Sequence, residues 1–197
     1  NLSVVFDCLK RINSILIDMC QDMWLYISID YLKQKINNKE VGSSTMPHKV
    51  NPINFENAEG NLKLADSLLE FFSRKLPVSR LQRDLTDSTV LRNTGVIFGH
   101  IFVSFSNILK GLNKLEINEH KITSDLNDNY IVITEGIQTI LRKYNHEDAY
   151  EKLKEFSRKN KKINKSDIDV FIDDLNVSEN IKEELKSITI TNYIGYA

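Results

Sequence analysis

The sequence predicts an all-α protein: a segment of a long-helix central bundle followed by a smaller helical C-terminal domain. Three observations carry this. Apolar residues in the first 112 positions recur at alternating spacings of three and four. No stretch keeps the period of two that a half-buried strand needs. After residue 113 the texture changes to shorter, more charged and better-capped segments. With 197 residues, 41% of them hydrophobic, the chain can bury a sizeable core, and the expected division is 1–112 and 113–197.

The first helix is read from Val5, Leu9, Ile12, Leu16, Met19, Met23 and Tyr26, a coiled-coil-like seam, with Phe6, Ile15, Trp24 and Ile27 on further faces. Cys8 and Cys20 fall inside this pattern, which predicts reduced, buried thiols rather than a bridge or metal ligands. Phe55, Ala58, Leu62, Ala65, Leu69, Phe72 and Leu76 mark a second long helix, with Asn51 expected as its cap and Pro52 at its first position. The polar stretch from Pro77 to Ser88 then leads to a third helix, from about Thr89 to Gly111. This helix has two apolar stripes, one through Leu91, Phe98, Phe102 and Leu109 and one through Val90, Ile97, Ile101 and Ile108. Two stripes predict a helix surrounded by others, in a bundle larger than these helices alone can build.

Farther on, Ile122, Leu126, Tyr130, Ile133, Ile137 and Leu141 suggest one amphipathic helix, and Ala149, Tyr150, Leu153 and Phe156 another. Ser166 and Ser178 are expected N-caps. Lys plus Arg (26) nearly balance Asp plus Glu (27), so nothing points to nucleic acid or an anionic membrane. The basic run from Arg158 to Lys162 lacks the aromatic residues and wider basic face of a nucleic-acid site and reads as a solvated loop. Polar residues interrupt every hydrophobic run before about 20 residues, so no membrane span is expected. The chain opens at Asn1 inside a periodic pattern with no cap or targeting segment, as a piece of a longer protein would.

The stretch Val-Gly-Ser-Ser-Thr-Met-Pro-His-Lys-Val-Asn-Pro, residues 41–52, stands apart. It holds a glycine, three hydroxyl side chains and two of the chain's three prolines. A flexible Gly-Ser-Ser-Thr run followed by a stiff Pro-rich one reads as a loop anchored at a helix start, where amides and dipole favour anions and Lys49 adds charge. On composition alone, an ordinary interhelical connection is the favoured reading.

The string itself resembles the signature of the fumarase/aspartase superfamily, Gly-Ser-Ser-x-Met-Pro-x-Lys-x-Asn-Pro. Its continuations "VNPINFENAEGNL" and "KLPVSRLQRDLTDSTVLRN", with "EGIQTILRKY" and "NYIGYA" downstream, are similar to the adenylosuccinate lyase branch. The resemblance implies release of fumarate from adenylosuccinate, giving AMP, and from the succinylated carboxamide ribotide of purine synthesis. It implies no metal or organic cofactor and a cytoplasmic homotetramer with shared active sites. Ser43 would be the general base, and Lys49 and Asn51 would hold the substrate carboxylate with help from Ser44 and the Met46 amide. Glu56 would orient a general-acid histidine that comes, like a second histidine-bearing region, from a segment absent here; the chain alone would then be inactive. Arg83, Ser88 and Arg92, with Thr89 and Asn57, would contact the nucleotide. His48 titrates near neutrality but occupies a variable position of the signature, and Arg80 has no matching role.

Other readings stay open at this point. Another superfamily lyase, such as argininosuccinate lyase, would keep the loop but lack the Arg83/Ser88/Arg92 set. A non-catalytic relative would not need Ser43, Lys49 and Glu56 intact. A helical oligomerisation module would use the loop only as a connector.

Overall fold

The computed structural model describes residues 2–35, 51–81, 83–146, 148–159 and 163–195. They form two compact units, Asn1–Asn118 and Glu119–Ala197.

The first unit is a layer of three long helices: α1 (Leu2–Ser28), α2 (Ile53–Lys75) and α4 (Thr94–Leu112), with the short α3 (Thr86–Leu91) leading into α4. α2 lies in the middle and runs antiparallel to both neighbours. Against α1, Trp24 meets Glu56 and Lys10 meets Glu70; against α4, Asn54 meets Asn107 and Asn61 meets His100. The α2 seam is buried as its spacing predicts, from Phe55 to Phe72, because α2 has a partner on either side.

On α1 the buried line is Phe6, Asn13 and Cys20, seven residues apart, while Val5, Ile12 and Tyr26 are exposed. The apolar pattern missed this line because one of its members is polar: Asn13 enters the interface to hydrogen-bond Asp66 at 2.7 Å. Cys20 is buried as expected, whereas Cys8 is exposed. On α4 one stripe, Ile97, Ile101 and Ile108, packs inward; the other is open, with Phe102 68% and Leu109 62% exposed.

The third helix begins earlier than expected and is broken at Arg92 and Asn93. Asn93 sits at φ −91°, ψ 2°, outside helical geometry. α2 starts one residue later than expected: Pro52 occupies the N-cap position and makes no side-chain cap, and the Asn51 carbonyl accepts from the Ile53 N–H at 2.9 Å. The stretch Thr86–Leu112 is also long and apolar enough to cross a membrane by length and composition. The sequence expectation missed this because its interruptions are mostly Gly, Ser, Asn and His, with Lys110 the one charge after Arg92.

α1 ends with Asp30 in the left-handed region (φ 65°), the Tyr31 N–H reaching back to the Tyr26 carbonyl. That turn aims β1 (Leu32–Gln34) against β2 (Leu115–Ile117), antiparallel, with Lys33 opposite Glu116. This pair was not foreseen, since three residues are too few to establish a period. It draws residues 113–118 into the first unit.

The second unit contains α5 (Glu119–Asp128), a 3-10 turn at Tyr130–Ile133, α6 (Thr134–Lys143), α7 (Ala149–Lys159), α8 (Lys165–Asp173) and α9 (Glu179–Ser187). The single helix expected over Ile122–Leu141 is thus two, interrupted at Asn129. Ile133, Ile137, Leu141, Ile172 and Leu185 form its core. α8 is capped by Asn164 in a reciprocal capping box with Asp167, not by Ser166. Ser178 holds the N-cap position of α9 without a side-chain hydrogen bond.

Candidate functional site

Ser43, Ser44, Met46 and Lys49 lie outside the described residues. The remaining site residues fall into two groups in the first unit.

The first group stands at the start of α2. Glu56 is exposed in the first turn and accepts from the Trp24 indole, Nε1 to Oε1, at 3.1 Å. The next acid on that face, Glu59, is occupied by Gln21 and Lys63 at 2.9 and 2.5 Å. These contacts, Lys63 first, hold its carboxyl below the usual carboxylate range. Gln21, Trp24, Glu56 and Glu59 line a hollow of about 300 Å³. Asn57, one residue on, faces α4 and accepts from Asn61 and Asn107 at 3.1 and 3.0 Å. Trp24, read from the sequence with Ile15 as a packing residue on a further buried face of α1, is exposed, as Ile15 is, and holds Glu56 instead; Asn61 and Asn107 were not singled out from the sequence. The run Asn54, Asn57, Asn61 at helical spacing was the one available signal.

The second group follows the other end of α2. Arg83, Ser88, Thr89 and Arg92 are all exposed, the last three on α3 and its C-cap. This segment is tied down by Lys75, whose Nζ reaches Asp87 at 2.8 Å, Asp84 at 3.5 Å and the Val78 carbonyl at 3.2 Å. Asp84 also accepts from the Thr86 N–H at 3.0 Å and from Arg80 at 3.2 Å. These contacts, the Thr86 backbone bond foremost, hold its carboxyl well below the usual range. Arg80 is thereby engaged in an ion pair, in keeping with its structural reading, whereas no ion pair or hydrogen bond of the Arg83 or Arg92 side chain occurs among the described residues. Forked guanidinium groups beside hydroxyls suit phosphate oxygens.

From Glu56 to Lys75 the helix advances nineteen residues, about 28 Å at 1.5 Å per residue. One chain therefore brings together Glu56, Asn57 and the loop end at Asn51, and separately Ser88, Thr89 and Arg92. It does not bring the two groups to one ligand. Among the described residues, no group of three or more His, Cys, Asp and Glu side chains has a metal-binding arrangement.

Comparison with known proteins places the chain among lyases, and the more C-terminal of the two family matches crosses the boundary between the two units. A family model described as "Adenylosuccinate lyase C-terminal" matches residues 79–194, and one described as "Lyase" matches residues 2–65. A protein named adenylosuccinate lyase from Dictyostelium discoideum is 57% identical over 197 residues, covering 99% of this chain and 42% of its own length. Proteins of the same name from Buchnera aphidicola (Schizaphis graminum) and Escherichia coli K12 are 51% and 50% identical, over 100% of this chain and 43% of theirs. The chain thus spans less than half the length of these curated relatives.

Proposed function

The chain belongs to the adenylosuccinate lyase family, and from that premise we propose that it forms part of a carbon–nitrogen lyase that releases fumarate from succinylated purine nucleotides. The observation that carries this reading is Glu56. Its carboxylate stands in the first turn of α2, directly after the signature loop, with one oxygen held by Trp24 and the other available for an imidazole.

In the proposed reaction Ser43 removes a proton from the carbon beside a succinyl carboxylate. Negative charge then grows on that carboxylate, where Lys49 and Asn51, with Ser44 and the Met46 amide, stabilise it more than they stabilise the ground state. The carbon–nitrogen bond breaks, and its electron pair leaves on the nucleotide nitrogen, which takes a proton from a histidine that this chain does not supply. Glu56 holds that histidine in the donating tautomer. Arg83, Ser88, Thr89 and Arg92 hold the ribose-phosphate part. A serine is a weak base in water, so its strength here depends on a dry, positively charged setting.

The two residue groups lie too far apart along α2 to serve one ligand. The reading therefore includes an oligomer, a cytoplasmic homotetramer, in which different copies contribute the two groups. The open apolar stripe of α4, with Phe102 and Leu109, is where another copy packs. In the full-length protein, Ser43→Ala is expected to lower fumarate release by at least roughly a hundredfold while leaving substrate binding. Arg92→Ala is expected to raise the half-saturating nucleotide concentration. Near-normal turnover in Ser43→Ala would remove Ser43 as the base, and unchanged affinity in Arg92→Ala would remove it from the phosphate site.

A further inference from the structure

Between α2 and α4 runs a row of carboxamides whose orientations are fixed by backbone carbonyls. Asn107 Nδ2 donates to the Val103 carbonyl at 2.9 Å, and Asn61 Nδ2 donates to the Asn57 carbonyl at 2.9 Å. A carbonyl only accepts, so the NH2 end of each amide is identified. Both NH2 groups also reach Asn57 Oδ1, at 3.0 Å from Asn107 and 3.1 Å from Asn61. Two donors converge on one atom, and only an oxygen accepts both. Asn57 therefore has its oxygen turned inward and its NH2 turned outward.

The far ends of the row agree with this assignment. Asn107 Oδ1 accepts from Asn54 Nδ2 at 3.0 Å, and Asn54 Oδ1 accepts from the Lys114 ammonium, which only donates, at 3.2 Å. On the other side Asn61 Oδ1 lies 2.8 Å from His100 Nδ1, which must carry its proton there. Asn57 is exposed, and its Nδ2 makes no hydrogen bond among the described residues.

We infer that Asn61 and Asn107 are positioning residues that lock the Asn57 carboxamide with its NH2 toward the ligand, so that the nucleotide atom it meets is an acceptor. A carboxamide free to turn presents donor or acceptor equally well. A locked one rejects a ligand of the wrong polarity, because a buried group is then left unpaired. The inference rests on the proposed function above together with the nucleotide contact that the family resemblance implies for Asn57.

The test is steady-state fumarate release from adenylosuccinate by the full-length protein. Asn57→Asp keeps an inward acceptor and replaces the outward donor with an acceptor. It is expected to raise KM roughly tenfold or more, the worth of one hydrogen bond, with kcat changed far less. Asn107→Asp sets an acceptor against Asn57 Oδ1 and turns the amide over, so KM should rise comparably. Asn107→Ala leaves the Asn61 donor and should raise KM less. If the Asn107 variants do not accumulate as soluble protein, Asn61→Asp carries the same arm. A raised KM in Asn57→Asp with wild-type KM in the Asn107 or Asn61 variants overturns the lock and leaves the contact standing. Loss of kcat at unchanged KM in the Asn107 variants overturns it also. Wild-type KM in Asn57→Asp removes the substrate contact itself.

Discussion

At the contact of α1 and α2, Asn13 is fully buried and donates through Nδ2 to Asp66 Oδ1 at 2.7 Å, while its own Oδ1 has no partner among the described residues. Burial pushes the Asp66 carboxyl above its ordinary value of 3.8, and the Asn13 bond and Lys10 charge offset this only in part. Asp66→Asn keeps an acceptor for Asn13 Nδ2 and offers an NH2 to the orphaned Oδ1, with no charge to desolvate. An unmade buried hydrogen bond costs about 1–3 kcal/mol, so a gain of about 1–2 kcal/mol near neutral pH is expected. The pH dependence fixes the sign. A carboxyl whose pKa is raised on folding contributes stability that is fully present below about 3.8 and is lost as pH rises through its folded value. The advantage of Asp66→Asn is therefore larger at pH 7 than at pH 4. Urea unfolding followed by helical circular dichroism at both pH values measures it. An unchanged or lower midpoint at pH 7, or an advantage that grows toward acid, would refute the reasoning.

Gly111→Ala should destabilise, because its Cβ would fall 2.8 Å from Cζ of Phe55, a ring only 1% exposed and unable to withdraw. Overpacking of about 1–3 kcal/mol outweighs a helix-propensity gain of roughly 0.5–1, and a lower melting temperature would register it. Thiol labelling of the native protein at pH 8 should modify Cys8 and spare Cys20, whose burial pushes it up to about 11. The same shift predicts that stability from the protonated Cys20 thiol is complete below about 9 and lost toward 11, and that Cys20→Ala flattens this decline. Lys75→Met should speed amide exchange across α3 roughly tenfold, with the middle of α2 unchanged, since that one ammonium ties Asp84 and Asp87 to α2.

The α2 seam was legible because every buried position from Phe55 to Phe72 on the predicted line is apolar. The α1 seam was legible in Leu9, Leu16, Met19 and Met23, which pack against the core, but its fully buried line of Phe6, Asn13 and Cys20 was not, because its middle position is Asn13. A polar residue that enters a core with its own partner carries no hydrophobic signal. The break at Asn93 was illegible for another reason: nothing at Arg92–Asn93 forbids helix, and the interruption is local backbone geometry. The site shows the same contrast. Glu56 and Asn57 were found through a string of neighbouring letters. Trp24 and Asn107, which hold them, lie 32 and 50 residues away in sequence, and only the antiparallel packing of α1 and α4 on α2 brings them there.

The two faces of α2 use different chemistry, with a consequence for the site. Toward α1 the polar contacts are ionic or carry a carboxylate: Lys10 with Glu70, Gln21 with Glu59 and Asn13 with Asp66. Toward α4 they are amide to amide and, at Asn61 and His100, amide to imidazole, with the Ser104 hydroxyl donating to the Ala58 carbonyl at 3.1 Å. Salt screens ionised groups, so it weakens the first interface more than the second. Glu56 depends on the first, through Trp24, and Asn57 on the second. Added salt should therefore disturb the setting of Glu56 before that of Asn57, seen as a change in Trp24 fluorescence at salt concentrations that leave amide protection in α4 unchanged.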